Sequence, residues 1–263
     1  MSTHMIREVW AHNLEQEMRI ISDLIYDYPI VGMDTEFPGV VAKPAGCFKS
    51  TEELEYQAMR CNIDILKIIQ IGITLGNSIG GVPEPVCTWQ FNFKFNVEKD
   101  PHFGRAITLL RQSGIDFKNF NEEGINVYDF ARLLIPSGLV MNDKVTWVTF
   151  HSISDFGYLL KVLTCLPLPK DNTGFFKLLK VYFPHFYDIK YYTSGFPQIP
   201  NGLQSIADQY NVERVGKEHQ AGSDSFVTYK VFIELQTQVF RMNIKDMNVE
   251  NRLYGASPPP MLM

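Results

Sequence analysis

The sequence predicts an α/β fold: a mixed β-sheet with helices on both faces. Three observations predict it. Runs rich in β-branched residues come close together early in the chain, as in a meander. Later runs alternate with helical stretches, as in β–helix–β units. With 263 residues, 45 % of them apolar and 20 % charged, the chain can bury a sizeable core without disulfide or metal staples. No repeat or low-complexity linker divides it, so residues 1–255 read as a single domain. Residues 256–263 read as a frayed, disordered C-terminal tail.

The elements follow in order. Leu14, Met18, Ile21 and Ile25 recur at helical spacing, and Pro29 stops that helix. Ile30 to Glu36 reads as a strand. Leu66 to Leu75 (LKIIQIGITL) is a β-branched run suited to a buried strand. After a turn-rich stretch from Gly76 to Pro85, Val86 to Phe93 alternates and should pair back as a hairpin. Helices are predicted around His102–Gln112 and Ile125–Ile135, each followed by Gly or Pro. Lys144 to Phe150 is the fourth strand and Ile153–Thr164 the helix after it. A helix near Phe175–Tyr182, a short strand near Tyr187–Lys190, and helices near Leu203–Tyr210 and Asp224–Phe240 complete the order.

Composition sets bounds on function. There are 29 acidic and 24 basic side chains, for a formal net charge of −5. Bulk charge alone would not hold such a protein on nucleic acid. Cys47, Cys61, Cys87 and Cys165 form no CxxC pair or zinc-ligand spacing. They read as free, buried thiols in a reducing compartment. Met1 to Trp10 lacks a signal-peptide layout. The most apolar stretch, Leu133 to Met141, is short and broken by Pro136 and Gly138. A soluble protein of the cytoplasm and nucleus, with no membrane partner, is expected.

The chemistry starts at Asp34-Thr35-Glu36. On a strand, residues i and i+2 share a face, so both carboxylates project side by side. Their repulsion is relieved by a divalent cation, and hard oxygen donors suit Mg²⁺ or Mn²⁺. Taken alone the pair reads rather as two solvated acids at a strand end. Asp155 follows the fourth strand at a helix start and Asp224 opens the last helix. Singly, each is explained as a first-turn acid beside a capping Ser152 or Ser223. His219 lies five residues before Asp224, about 500° around one continuous helix. The two side chains converge only if the helix begins after His219, and Ala221-Gly222-Ser223 supplies the break. His151, just ahead of the Asp155 turn, is the other histidine near these acids. Four carboxylates balance two divalent ions about 3.5–4 Å apart, and a histidine can take a proton from an attacking water. Asp34, Glu36, Asp155, Asp224 and His219 thus fit two-metal phosphodiester hydrolysis.

With His219 five positions before the last Asp, this order of acids resembles the DEDDh class of 3′-exonucleases. Longer strings, VGMDTEFPGVV, LKIIQIGIT, TWQFNFKFN, FHSISDFGYLLK and HQAGSDS, resemble the Caf/Pop-type deadenylases, the nuclease subunits of CCR–NOT complexes. The similarity runs from about Trp10 to about Tyr254, with Leu166 to Pro200 the most individual segment.

The resemblance implies an RNase H-like, mixed five-stranded sheet. It also implies stepwise 3′-to-5′ removal of mRNA poly(A) with release of 5′-AMP. Asp34, Glu36, Asp155 and Asp224 would be the metal ligands and His219 the general base, and Phe37 reads equally as a ring stacking beside the terminal base or as a core aromatic. The implied partners are the poly(A) 3′ end, a leucine-rich-repeat nuclease subunit, a NOT scaffold subunit and Tob-like adaptors. Two alternatives stand beside this: the same chemistry on another RNA or on DNA, and a mainly non-catalytic platform in the complex. Two bound divalent ions would bring the net charge of −5 close to neutral, so intrinsic RNA affinity is expected to be weak.

Overall fold

The computed structural model describes residues 6–239 and 249–258. Along the chain run β1 (Ile6–Val9), α1 (Leu14–Leu24), β2 (Ile30–Glu36), α2 (Thr51–Ile65), β3 (Gln70–Gly76) and β4 (Thr88–Asn92). Then come α3 (Gly104–Gln112), α4 (Phe117–Glu123), α5 (Val127–Leu134), β5 (Thr146–Thr149), α6 (Ile153–Thr164) and α7 (Asn172–Tyr182). The last are β6 (His185–Asp188), α8 (Ile189–Thr193), α9 (Leu203–Gln209) and α10 (Ala221–Glu234).

The strands form one sheet in the order β1-β4-β3-β2-β5-β6. The meander β2-β3-β4 is antiparallel, whereas β5, β6 and β1 join in parallel. The predicted mixed α/β class is therefore observed, with six strands where five were expected. The added strand, β1, is only four residues long and half polar, so it carried no usable alternation. It is defined by pairing Ile6–Val9 with Thr88–Phe91.

Alternation along β2 sorts the two layers. Val31 and Met33 face a core built with α1, α5 and α6, whereas Ile30 belongs to a second core shared with α8, α9 and α10. Trp147 and Val148 of β5 divide the same way. β2 is thus central and fixed on both sides, and its C-terminal end carries Asp34 and Glu36.

Three helices were not expected: α2, α4 and α8. For α2 the signal was present, since Ser50 precedes Glu53 by three residues and its Oγ accepts from Glu53 N at 3.2 Å. The strand expected at Tyr187–Lys190 instead ends at Asp188. Its carboxylate accepts from Lys190 N at 3.0 Å and caps α8. The expected C-terminal helix starts at Ala221 and is regular to Glu234. A wider turn then covers Leu235–Val239, and Phe240 lies outside the described residues.

The tail expectation needs correcting at its start. Ala256 and Ser257 are buried, and Ser257 Oγ accepts from Leu253 N at 3.0 Å. Residues 259–263 lie outside the description. The four cysteines form no disulfide among the described residues; Cys87 is the buried one, and Cys47 and Cys165 are exposed. No helix among the described residues is long and apolar enough to cross a membrane.

Candidate active site

The start of α10 decides where Asp224 stands. A Cβ on Gly72 of β3 would lie 1.8 Å from Ala221 O, so only glycine lets the helix end meet the sheet this closely. No residue of α10 provides a side-chain cap. The sheet does so instead: Gln70 Oε1 accepts from Ala221 N at 3.3 Å, and Gln90 Oε1 from Gly222 N at 2.8 Å. These two bonds satisfy amides that a helix start otherwise leaves unpaired. Gln70 and Gln90 are held in turn by Asn92, Gln220 and Glu8.

The break between His219 and Asp224 falls one residue before α10. His219 takes a left-handed φ of 60° and Gln220 is the N-cap. Ser223, expected as the cap, lies within the first turn and accepts from Arg214 Nη1 at 2.9 Å. The left-handed turn brings His219 back over Asp224, whose Oδ2 accepts from His219 N at 2.9 Å. Asp224 Oδ1 is paired with Arg214 Nη1 at 2.5 Å, and Arg214 Nε is fixed by Gln204 Oε1 at 2.7 Å.

Asp155 enters from the opposite layer, in the first turn of α6. Its Oδ1 accepts from Thr35 N at 2.9 Å and from Thr35 Oγ1 at 2.6 Å. Thr35 is the residue between Asp34 and Glu36, so strand alternation turns it toward α6 as they turn toward α10.

Asp34, Glu36, His219 and Asp224 line one cleft of about 400 Å³, with Phe150, Leu203, Gln204 and Arg214 on its walls. Asp155 is not among the lining residues but bonds to Thr35, which is. Donor atoms of Glu36, His219 and Asp224 fall within 4.8 Å of one another, close enough for one cation.

The electrostatics mark the same place. Burial, with the charges of Asp224, Asp155 and Glu36 added, pushes the Asp34 carboxyl far above its usual range. Burial and then Asp224 and Asp155 bring Glu36 up to about 8. Asp155 rises to about 6 by burial, against the Thr35 hydrogen bonds. Asp224 is also raised by burial, with Arg214 opposing. Carboxylates crowded this tightly need protons or cations. Four hard oxygen donors with a single permanent cation, Arg214, among the cleft-lining residues fit divalent Mg²⁺ or Mn²⁺.

Phe37 is half-buried and not among the residues lining the cleft, and its ring stacks on Tyr158 at 5.2 Å. As the residue after Glu36 it points with Thr35 to the α6 side. This packing matches the core-aromatic reading of Phe37.

Several site residues were not singled out from the sequence: Thr35, Arg214, Gln204, Phe150 and the capping pair Gln70 and Gln90. Polar side chains inside wholly buried β3 and β4 were the available signal for the last two.

Comparison with known proteins identifies the family. Residues 9–131 match the family described as CAF1 family ribonuclease. The chain is 52 % identical over 250 residues to poly(A) ribonuclease pop2 of Schizosaccharomyces pombe, spanning 95 % of this chain and 74 % of that protein. The chain belongs to the CAF1 ribonuclease family. A structure of S. pombe Pop2p in its Mg²⁺- and Mn²⁺-bound form superposes with a TM-score of 0.92, covering 95 % of this chain and 99 % of that one. Yeast CAF1, co-crystallised with the NOT1 MIF4G domain, is 29 % identical with a TM-score of 0.80 over 95 % and 96 % of the two chains. The nuclease domain of 3′hExo, a DEDDh family member bound to rAMP, is 15 % identical. It covers 82 % of this chain and 96 % of that domain at a TM-score of 0.54, a likeness of fold. The mixed α/β fold is thus shared with that DEDDh nuclease domain.

Proposed function

We infer that this CAF1 family member is a metal-dependent 3′-to-5′ exoribonuclease that shortens mRNA poly(A) tails and releases 5′-AMP. One observation carries this: Asp34, Glu36, His219 and Asp224 line a single cleft whose Thr35 bonds to Asp155, in a chain 52 % identical to a poly(A) ribonuclease.

Asp34, Glu36, Asp155 and Asp224 would hold two divalent ions, and such ions would supply an activated water and charge neutralisation at the leaving oxygen. The protein's own groups do the rest. His219 stands on the loop before α10 with its backbone N–H tied to Asp224. Its imidazole makes no hydrogen bond among those of the described residues. That leaves the ring to take the proton of the attacking water. Thr35 orients Asp155 through one oxygen and leaves the other for a cation. Arg214 holds Asp224 in its rotamer and balances one negative charge. Phe150 and Leu203 offer apolar walls to the terminal nucleotide.

The assay is 5′-labelled RNA with matched A, U, C, G and DNA 3′-tails, run with wild type and Asp34→Ala. A ladder shortening by one nucleotide, fastest on A and lost in the variant, supports the activity. Retained shortening by folded Asp34→Ala removes the site assignment. Equal rates on all tails remove the poly(A) preference, and inactivity of wild type favours a platform role.

We also propose membership in a CCR–NOT complex. Supporting it is the 29 % identical CAF1 that was co-crystallised with a NOT1 MIF4G domain. A leucine-rich-repeat nuclease subunit and Tob-like adaptors are the further partners, and co-purification from the source cell checks each. The protein works in the cytoplasm and nucleus, where polyadenylated mRNA resides; fractionation tests this.

A further inference from the structure

We propose that Phe150, Lys190, Tyr254 and His151 form a track for the RNA nucleotides upstream of the one being cleaved. This rests on the exonuclease activity above and assigns it a second binding region.

The track begins inside the cleft. Phe150 lines it together with Asp34, Glu36 and His219. Lys190 Nζ lies 5.8 Å from the centre of the Phe150 ring and 5.5 Å from that of Tyr254, so one ammonium bridges two aromatic faces. His151 then meets Tyr254 edge-on at 5.1 Å. Lys190 also donates to the Asn201 carbonyl and to Asn201 Oδ1. Asn201 directly precedes Gly202 and Leu203, which line the cleft with Phe150. The strip is therefore continuous with the site.

Its rigidity has a single source, the buried Asp188. Oδ1 accepts from His151 N at 2.7 Å and Lys190 N at 3.0 Å, and Oδ2 from Ser152 N at 3.4 Å and Tyr254 N at 3.0 Å. One carboxylate thus fixes the loop after β5, the start of α8 and the C-terminal segment. It also helps impose the left-handed φ of 56° at His151. The result places the exposed His151 and the partly exposed Tyr254 beside a cation, with the matching negative charge hidden below. Rings interleaved with a positive charge suit single-stranded nucleic acid: bases stack on the rings, and phosphates pass the ammonium.

The test compares kcat/KM for an oligo(A) of about fifteen nucleotides with that for the dinucleotide ApA, in full-length protein with Mg²⁺. Wild type is expected to prefer the longer substrate. In Tyr254→Ala that preference falls by about tenfold through KM, since each stacked base contributes that order of affinity. Tyr254→Phe keeps the ring and restores the preference. Lys190→Met lowers the slope of log KM against log salt by about 0.7, one phosphate contact. Both substrates falling in equal proportion in Tyr254→Ala would mean damage to the site itself and overturns the track. An unchanged preference in Tyr254→Ala overturns it as well. A wild type active on both substrates without length preference overturns the track alone. A wild type inactive on both removes the exonuclease reading and the track with it.

Discussion

The starts of α6 and α10 present the same residue type to the same cleft and hold it by opposite means. Asp155 is held by neutral donors, the N–H and hydroxyl of Thr35, both on one oxygen. Asp224 is held by a charge, the Arg214 guanidinium, with the His219 N–H on its other oxygen. The first arrangement is short and rigid, because Thr35 sits in the central strand. The second reaches back ten residues to Arg214 and runs through a left-handed turn. The strand side of the site is therefore set by the sheet, and the helix side by a loop whose position depends on how α10 is anchored.

The largest test of that contrast removes each acid in turn. Asp155→Asn and Asp224→Asn should each lower kcat/KM by on the order of 10³-fold, since ligand loss forfeits several kcal/mol of charge stabilisation. A loss below tenfold in either would take that acid out of the site. Anchoring comes next. Gly72→Ala places a methyl against Ala221 O and should cost about 2–3 kcal/mol in urea unfolding. It should slow the reaction as well, because Asp224 rides on the displaced helix. Wild-type stability in this variant would mean that α10 is free to move.

Smaller effects separate the two holding modes. Thr35→Val keeps the N–H but deletes the hydroxyl, and should reduce kcat/KM by about tenfold, the order of a hydrogen bond to a charged group. Arg214→Gln removes the charge that lowers the proton affinity of Asp224 and Asp34. The pH at which Mn²⁺ binding is half-maximal, followed by calorimetry, should therefore move upward. A midpoint that stays or falls would show that Arg214 competes with the metal instead of preparing its ligand.

The pH dependence of stability probes the crowding itself. Glu36, at about 8 in the metal-free fold against 4.5 ordinarily, is favoured in its neutral form. The unfolded chain releases that proton first. Stability without metal is therefore greatest at low pH within this range and falls as pH rises from about 4.5 to about 8. Mg²⁺ cancels the loss, so the Tm gap between Mg²⁺ and EDTA should widen across that interval. Glu36→Gln should flatten it, and a gap constant with pH in wild type would contradict the crowding.

Much of this was legible in the residues. The period of two places Asp34 and Glu36 on one face. The helical angle shows that His219 and Asp224 need a break between them, and the break is there. The same period of two, applied one residue further, would have sent Phe37 to the other side with Thr35. What no local pattern contains is contact made across the sheet. The cap of α10 comes from Gln70 and Gln90, more than 130 residues earlier. β1 is a strand only because β4 is beside it.

That edge strand reaches further than its length implies. Glu8 accepts from Gln90 and Asn92, and Gln90 donates also to Gln220 and receives the first turn of α10. Glu8, on the outermost strand of the sheet, is thereby linked to the start of the catalytic helix, which Ile6 of the same strand also borders. Shortening the chain from its beginning, as one does to tidy a protein for crystallisation, would loosen the nuclease centre while leaving every acid in place.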